Sequence, residues 1–266
     1  MATAVISGTP VQFVDAGEGS PALVLLHAFP LHSGMWDDQV AALSPHRRVV
    51  APDLPGFGST PLSPAGGTVS MSGFADLVAG LIDHLGIAPA VVAGLSMGGY
   101  VTFALLRDHP EMVAGVVLAD TRAAADSPEV AERRTAQVAE VAAGGKADVV
   151  EAMVGTLLSD ETRARRPEVV ERARALMSTA SAEGIIAALE AMRGRPDAVE
   201  QLAAVDVPAL VVVGEHDGPS PPAVAEAMAG ALPDAHLEVI GGAGHLSNLE
   251  APAAFNDALA SFLNRF

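Results

Sequence analysis

The chain contains no cysteine in its 266 residues. That removes disulfides, thiolate metal ligands and cysteine nucleophiles together. Long apolar runs are missing too: the longest, such as Ala22–Leu26 and Gly115–Ala119, are strand-sized and far too short to span a bilayer. Met1 to Ser20 has neither a basic start nor an uninterrupted apolar stretch, so the expectation is a cytoplasmic protein without a secretory signal. Cations are scarce, with 15 Lys and Arg against 32 Asp and Glu, a formal net charge of −17. Such a polyanion repels phosphate backbones and acidic lipid, so neither nucleic acid nor an anionic membrane is an expected partner. Disorder is not expected either, because half of the residues are hydrophobic and the mean hydropathy is +0.36.

The charge is unevenly spread. Residues 121–200 hold eleven cations against fourteen acids, a net of −3, whereas the rest of the chain holds four cations and eighteen acids, a net of −14. The pattern of elements changes at the same place. Thr3–Ser7 and Val11–Asp15 alternate across Gly8-Thr9-Pro10 and read as a hairpin. Ala22–Leu26, Arg48–Pro52, Ala90–Gly94 and Val113–Ala119 are short and continuously apolar, as parallel strands covered on both faces are. Helical patterns lie between them, notably Met71–Leu85, closed by Gly86, and a segment from Ser96 to about Arg107.

From Thr121 to about Leu202 no strand pattern occurs. Ser127-Pro128-Glu129 opens one helix and Gly144-Gly145 stops it, Pro167 opens another, and Gly194 follows the helix containing Ile185–Met192. Ala209–Gly214 and Ala235–Ile240 then restore the strands around a helix opened by Pro221-Pro222, and a last helix runs from about Pro252 to Leu263. The expected layout is one α/β domain, residues 1–120 and 203–266, interrupted by a helical insertion at 121–202.

The densest chemical signal is Gly94-Leu95-Ser96-Met97-Gly98-Gly99. As a bare spacing, Gly-x-Ser-x-Gly is weak. Here the serine stands between a buried strand and an amphipathic helix, where a sharp turn lifts its hydroxyl clear of the sheet and the helix N-terminus favours negative charge. The bland alternative is a glycine-rich turn with a capping serine. A serine nucleophile needs a histidine held by a carboxylate. Among eight histidines, His245 follows the last strand in the glycine-rich loop Gly241–Gly244, on the same sheet edge as Ser96. His46, His84, His109 and His236 read as surface residues, and His32 and His216 as loop residues without a role. Asp217, just after the penultimate strand, completes the chain order Ser, Asp, His. Asp120, at another strand end, and Glu215 compete with it for the imidazole.

Acyl transfer also needs two N–H donors for the developing oxyanion. Met97, next after the serine, supplies one. The strand Ala22–Leu26 runs into His27-Ala28-Phe29-Pro30, where Pro30 has no N–H and Phe29 is the expected second donor.

These segments, with Asp53-Leu54-Pro55-Gly56-Phe57-Gly58 and Gly214-Glu215-His216-Asp217, resemble the α/β-hydrolase superfamily over essentially the whole chain. Ala28 departs from the glycine that usually follows the histidine in that family. The resemblance implies a mostly parallel eight-stranded sheet flanked by helices, with the insertion as a cap over the active site. Within the superfamily the chain is most similar to carboxylesterases and to enol-lactone hydrolases of the 3-oxoadipate type. Serine at 96 argues against epoxide hydrolases and haloalkane dehalogenases, which use aspartate there. Cofactor-free haloperoxidase-like members and carbon–carbon bond hydrolases share the Ser-Asp-His set.

The expected activity is hydrolysis of a small to medium carboxylic ester or lactone through an acyl-enzyme on Ser96, with no metal and no organic cofactor. The competing class is a non-catalytic ligand receptor on the same fold; a homo-oligomer is compatible with either. Substrate preference is expected in the cap and in His27, Phe29, Trp36, Met97 and Tyr100, although core packing explains Trp36 and Tyr100 equally well. Arg122 would bind a substrate carboxylate if it faced the pocket; an arginine turned to solvent or paired with an acid is the commoner arrangement.

Overall fold

The computed structural model describes residues 1–62 and 69–266. Its strands separate by pattern. β1 (Ala2–Ile6) and β2 (Thr9–Ala16) alternate buried and exposed positions and pair antiparallel. Their turn is Ser7-Gly8, both with positive φ (47° and 82°), the geometry of a two-residue hairpin. Thr9 and Pro10, expected in that turn, open β2 instead. β3 (Leu23–Leu26), β4 (Val49–Pro52), β5 (Ala90–Leu95), β6 (Val113–Ala119) and β7 (Ala209–Gly214) are apolar and almost wholly buried. β8 (Ala235–Ile240) is an edge strand and is more exposed.

The eight strands form one sheet in the order β1-β2-β4-β3-β5-β6-β7-β8. The ladders from β4 through β8 are parallel. Alternate residues of a strand face opposite sides, and both sides are covered. Val24, Leu26 and Val92 pack with α2 (Met71–His84) and α3 (Met97–Asp108), as do residues of α9 (Pro222–Ala231). Leu23, Leu25, Val91 and Ala93 pack with α1 (Asp37–Leu43) and α11 (Pro252–Leu263), which the four-residue α10 (Ser247–Glu250) precedes.

Five helices lie between β6 and β7: α4 (Pro128–Ala142), α5 (Lys146–Leu157), α6 (Asp160–Arg165), α7 (Pro167–Ser178) and α8 (Ala182–Arg193). Ser127, Ser159 and Ser181 cap α4, α6 and α8 with their side chains. α5 and α6 lie outside the sequence expectations, and the reasons are local. α5 follows Gly145, which has no side chain to cap it, and α6 is too short for a periodic signal. Among the described residues no helix is long and apolar enough to cross a membrane.

Candidate active site

The turn from β5 into α3 puts Ser96 at φ 54° and ψ −109°, a strained backbone for a residue with a side chain. Its flanking glycines are dictated by contact. A Cβ on Gly94 would stand 2.2 Å from the Gly98 carbonyl oxygen, and one on Gly98 2.2 Å from that of Leu26. Both obstacles are backbone and cannot rotate away. Gly98→Ala should therefore lower stability by about 1–3 kcal/mol, read as a fall in the urea midpoint; an unchanged midpoint would show that the turn yields.

Ser96 lies within a continuous hydrogen-bonded chain. His245 Nε2 is 2.8 Å from Ser96 Oγ, and His245 Nδ1 is 2.8 Å from each Asp217 oxygen. With Nδ1 protonated toward Asp217, Nε2 accepts the serine hydroxyl. Asp217 and His245 are buried, and Ser220 N–H also donates to Asp217 Oδ1 at 2.7 Å.

The two loops that carry these residues are held from behind. Asp120 Oδ1 accepts from Gly214 N–H at 2.9 Å, and its Oδ2 from the Ser247 hydroxyl at 2.5 Å. The carboxyl of Asp120 is thus committed to the ends of β7 and α10, and it does not bond the imidazole. Burial, reinforced by the nearby Asp217 charge, pushes Asp120 well above the usual carboxylate range. Glu215 is exposed and accepts from Gly242 N–H instead. Glu250, buried and not anticipated from the sequence, accepts from Gly244 N–H and from Ser159 N–H, both at 2.9 Å. His245 N–H donates to Leu157 O at 2.9 Å. The histidine loop is therefore bonded directly to the end of α5 and the start of α6.

The β3 exit loop leaves the Phe29 N–H without a partner among the described residues. Ala28 N–H is taken by Met35 Sδ at 3.2 Å and Leu31 N–H by Ala28 O at 2.9 Å, while Pro30 has none. Among the described residues no partner accepts from Phe29 N–H or from Met97 N–H.

His27 does not join the pocket. It is fully buried: Nε2 accepts from Leu54 N–H at 3.0 Å and Nδ1 donates to Ala28 O at 2.9 Å, which ties the β3 exit to the loop after β4. Burial lowers its pKa to about 4. The unfolded chain takes up that proton near pH 6.5, so stability is complete above that pH. It declines as pH falls toward 4, by about 3 kcal/mol in the limit. His27→Gln should flatten this acid limb of the urea-midpoint profile; a slope equal to that of the parent protein would contradict the assignment.

Trp36 is likewise corrected. It is wholly buried and packs against Phe255 with ring centroids 6.0 Å apart, so the core claims it. The Met97 side chain is also buried in the core. The surface histidines stay apart from the site: His46, His84, His216 and His236 are exposed, and His109 is 2.7 Å from Asp76. His32 accepts from Gly34 N–H.

Ser96 and His245 open on a cavity of about 270 Å³. Phe29, Tyr100 and Ser220 line it from the sheet side, and Met153, Leu157 and Met192 from the inserted helices. The Tyr100 ring is covered by Arg195, whose guanidinium carbon is 3.9 Å from the ring centroid. Arg122 lines the same cavity, half-buried, and among the described residues no acid pairs with it. Among the described residues no group of three or more His, Asp or Glu side chains is placed to hold a metal ion.

A family model for the alpha/beta hydrolase fold matches residues 21–252. A thermophilic esterase from Thermogutta terrifontis, solved with malate bound, is 38% identical with a TM-score of 0.94, covering 99% of this chain and 98% of that one. The enol-lactonase from Burkholderia xenovorans LB400 is 31% identical with a TM-score of 0.90, covering 99% and 100%. A pimeloyl-[acyl-carrier protein] methyl ester esterase from Yersinia enterocolitica is 28% identical over 92% of this chain and 94% of its own length.

Proposed function

The chain belongs to the α/β-hydrolase family, and from that premise we propose that it is a serine hydrolase cleaving small to medium carboxylic esters or lactones through an acyl-enzyme on Ser96. The observation that carries this reading is the unbroken chain Ser96–His245–Asp217, at 2.8 Å in each step, beneath a cavity of about 270 Å³. Relatives on both sides of the ester and lactone division support the substrate class.

In the first half-reaction His245 Nε2 takes the Ser96 proton as Oγ attacks the carbonyl carbon. The charge that develops on the carbonyl oxygen is met by the Phe29 and Met97 N–H groups, which among the described residues have no other partner to give up. Asp217 holds the imidazole in the tautomer that can accept the proton and stabilises the cation it becomes. The tetrahedral intermediate collapses, the ester C–O bond breaks, and the Nε2 proton passes to the leaving alkoxide. Water then repeats the sequence: His245 deprotonates it, hydroxide adds to the acyl carbon, and Ser96 leaves with the proton. In a lactone the leaving alkoxide stays on the acyl group, and the same steps open the ring.

Residues 121–202 act in this reading as a cap, whose Met153, Leu157 and Met192 give the cavity an apolar roof. The test is covalent labelling by a fluorophosphonate. Labelling that disappears in Ser96→Ala, with turnover of p-nitrophenyl esters or lactones, supports the proposal. A folded protein that neither labels nor turns over any of them overturns it, and a ligand receptor on this fold becomes the favoured reading.

A further inference from the structure

The cavity wall over Ser96 holds more guanidinium than it has acid to match. Arg122, Arg133 and Arg134 line it, and Asp126 is its one carboxylate among the described residues. Asp126 is already taken: Arg134 Nε and Arg195 Nη1 each donate to it at 2.6 Å, and its side chain is 2% exposed. Arg133 is an exposed residue of α4. Arg122 differs from all of these. Among the described residues nothing pairs with it or accepts a hydrogen bond from it, and its Nε is buried without a partner. Buried donors are nearly always satisfied. Among the described residues none of the chain's acids pairs with Arg122.

The position is also fixed. Thr121 Oγ1 donates to the Ser96 carbonyl oxygen at 2.9 Å, Ala198 N–H to Ala123 O at 3.0 Å, and Arg195 Nη2 to Ala124 O at 2.8 Å. The backbone on either side of Arg122 is therefore locked to the nucleophile turn and to the segment that follows α8. The Arg122 side chain is thus rooted beside the nucleophile turn, in the wall of the cavity that Ser96 opens on. The rest of the molecule works against anions, since outside residues 121–200 the net charge is −14. An anionic substrate would have to be held by a local cation that no protein acid has neutralised.

We propose that Arg122 is a specificity-determining residue that binds a substrate carboxylate, and that the preferred substrates are short esters or lactones bearing a carboxylate a few atoms from the scissile carbonyl. This rests on the serine-hydrolase reading above. A cavity of about 270 Å³ is at the small end of ligand sites and suits a short diacid chain. The planar fork of arginine gives such a carboxylate two parallel hydrogen bonds, with direction as well as charge.

The test compares matched esters, one acidic and one neutral, of equal length. In one pair the carboxylate is on the acyl side (mono-p-nitrophenyl glutarate against p-nitrophenyl pentanoate). In the other it is on the alcohol side (butanoyl glycolate against ethyl butanoate). In Arg122→Gln the ratio of acidic to neutral kcat/KM should fall about 10- to 100-fold for at least one pair, through KM, and Arg122→Lys should recover part of it. A fall shared equally by both members of each pair, or no fall at all, overturns the proposal. Glutarate binding by calorimetry gives a readout independent of turnover: the parent protein binds it and Arg122→Gln binds it at least tenfold more weakly. Equal binding by the two, or none by the parent, also overturns the proposal. Absence of fluorophosphonate labelling and of all ester turnover would instead fall on the serine-hydrolase reading, and the calorimetry would still decide the role of Arg122.

Discussion

Ser96→Ala should lower ester turnover by on the order of 10⁶-fold while leaving the fold and the urea midpoint near those of the parent protein. The size follows from what is lost. Without Oγ there is no acyl-enzyme, and His245 can act only on water that nothing positions. Phe29 and Met97 N–H groups remain, so a residual rate above that of uncatalysed hydrolysis should persist. Ser96→Ala combined with His245→Ala should cost little more than either alone, because the two groups act as one device. Steady-state turnover of a p-nitrophenyl ester measures all of this. A single variant within tenfold of the parent rate would remove Ser96 from the mechanism.

Asp217→Asn should cost about 10⁴-fold in kcat, with far less effect on KM. The amide keeps the shape of the carboxylate but presents an N–H₂ to His245, and the imidazole then turns its lone pair toward Asn and its N–H toward Ser96. In that tautomer Nε2 no longer accepts the serine proton. Asp120 does not rescue the variant, because both of its oxygens are already bonded, to Gly214 and Ser247. The check is kcat against pH in Asp217→Asn, beside Asp120→Asn. A loss of similar size in Asp120→Asn, with Asp217→Asn nearly silent, would exchange the roles of the two carboxyls.

The fold was most legible in the sequence where its cause is local. Gly94 and Gly98 mark the nucleophile turn because backbone approaches them from the adjacent strand and helix, and no other residue fits. The burial of β3 through β7 shows directly in their unbroken apolar runs. His27 and Trp36 were harder to place. Each follows β3, but the contacts that bury them come from Leu54 and Phe255, far off in sequence. A helical pattern reveals that α8 has an apolar side, not that its Met192 meets Met153 and Leu157, from a helix the pattern does not announce, over Ser96. The state of Arg122 depends on Asp126 being consumed by two other arginines, a competition that only three dimensions display.

Glu250 has a consequence for how this fold could be re-engineered. One of its oxygens serves Gly244, beside the proposed base, and the other serves Ser159 at the head of α6. The roof and the histidine loop are therefore a single mechanical piece. A graft that exchanged residues 128–193 for helices from another protein would strand one carboxylate oxygen in the interior and loosen the loop that aims His245. A transplanted roof has to bring its own N–H to that spot, or the graft will fold over a misaligned imidazole.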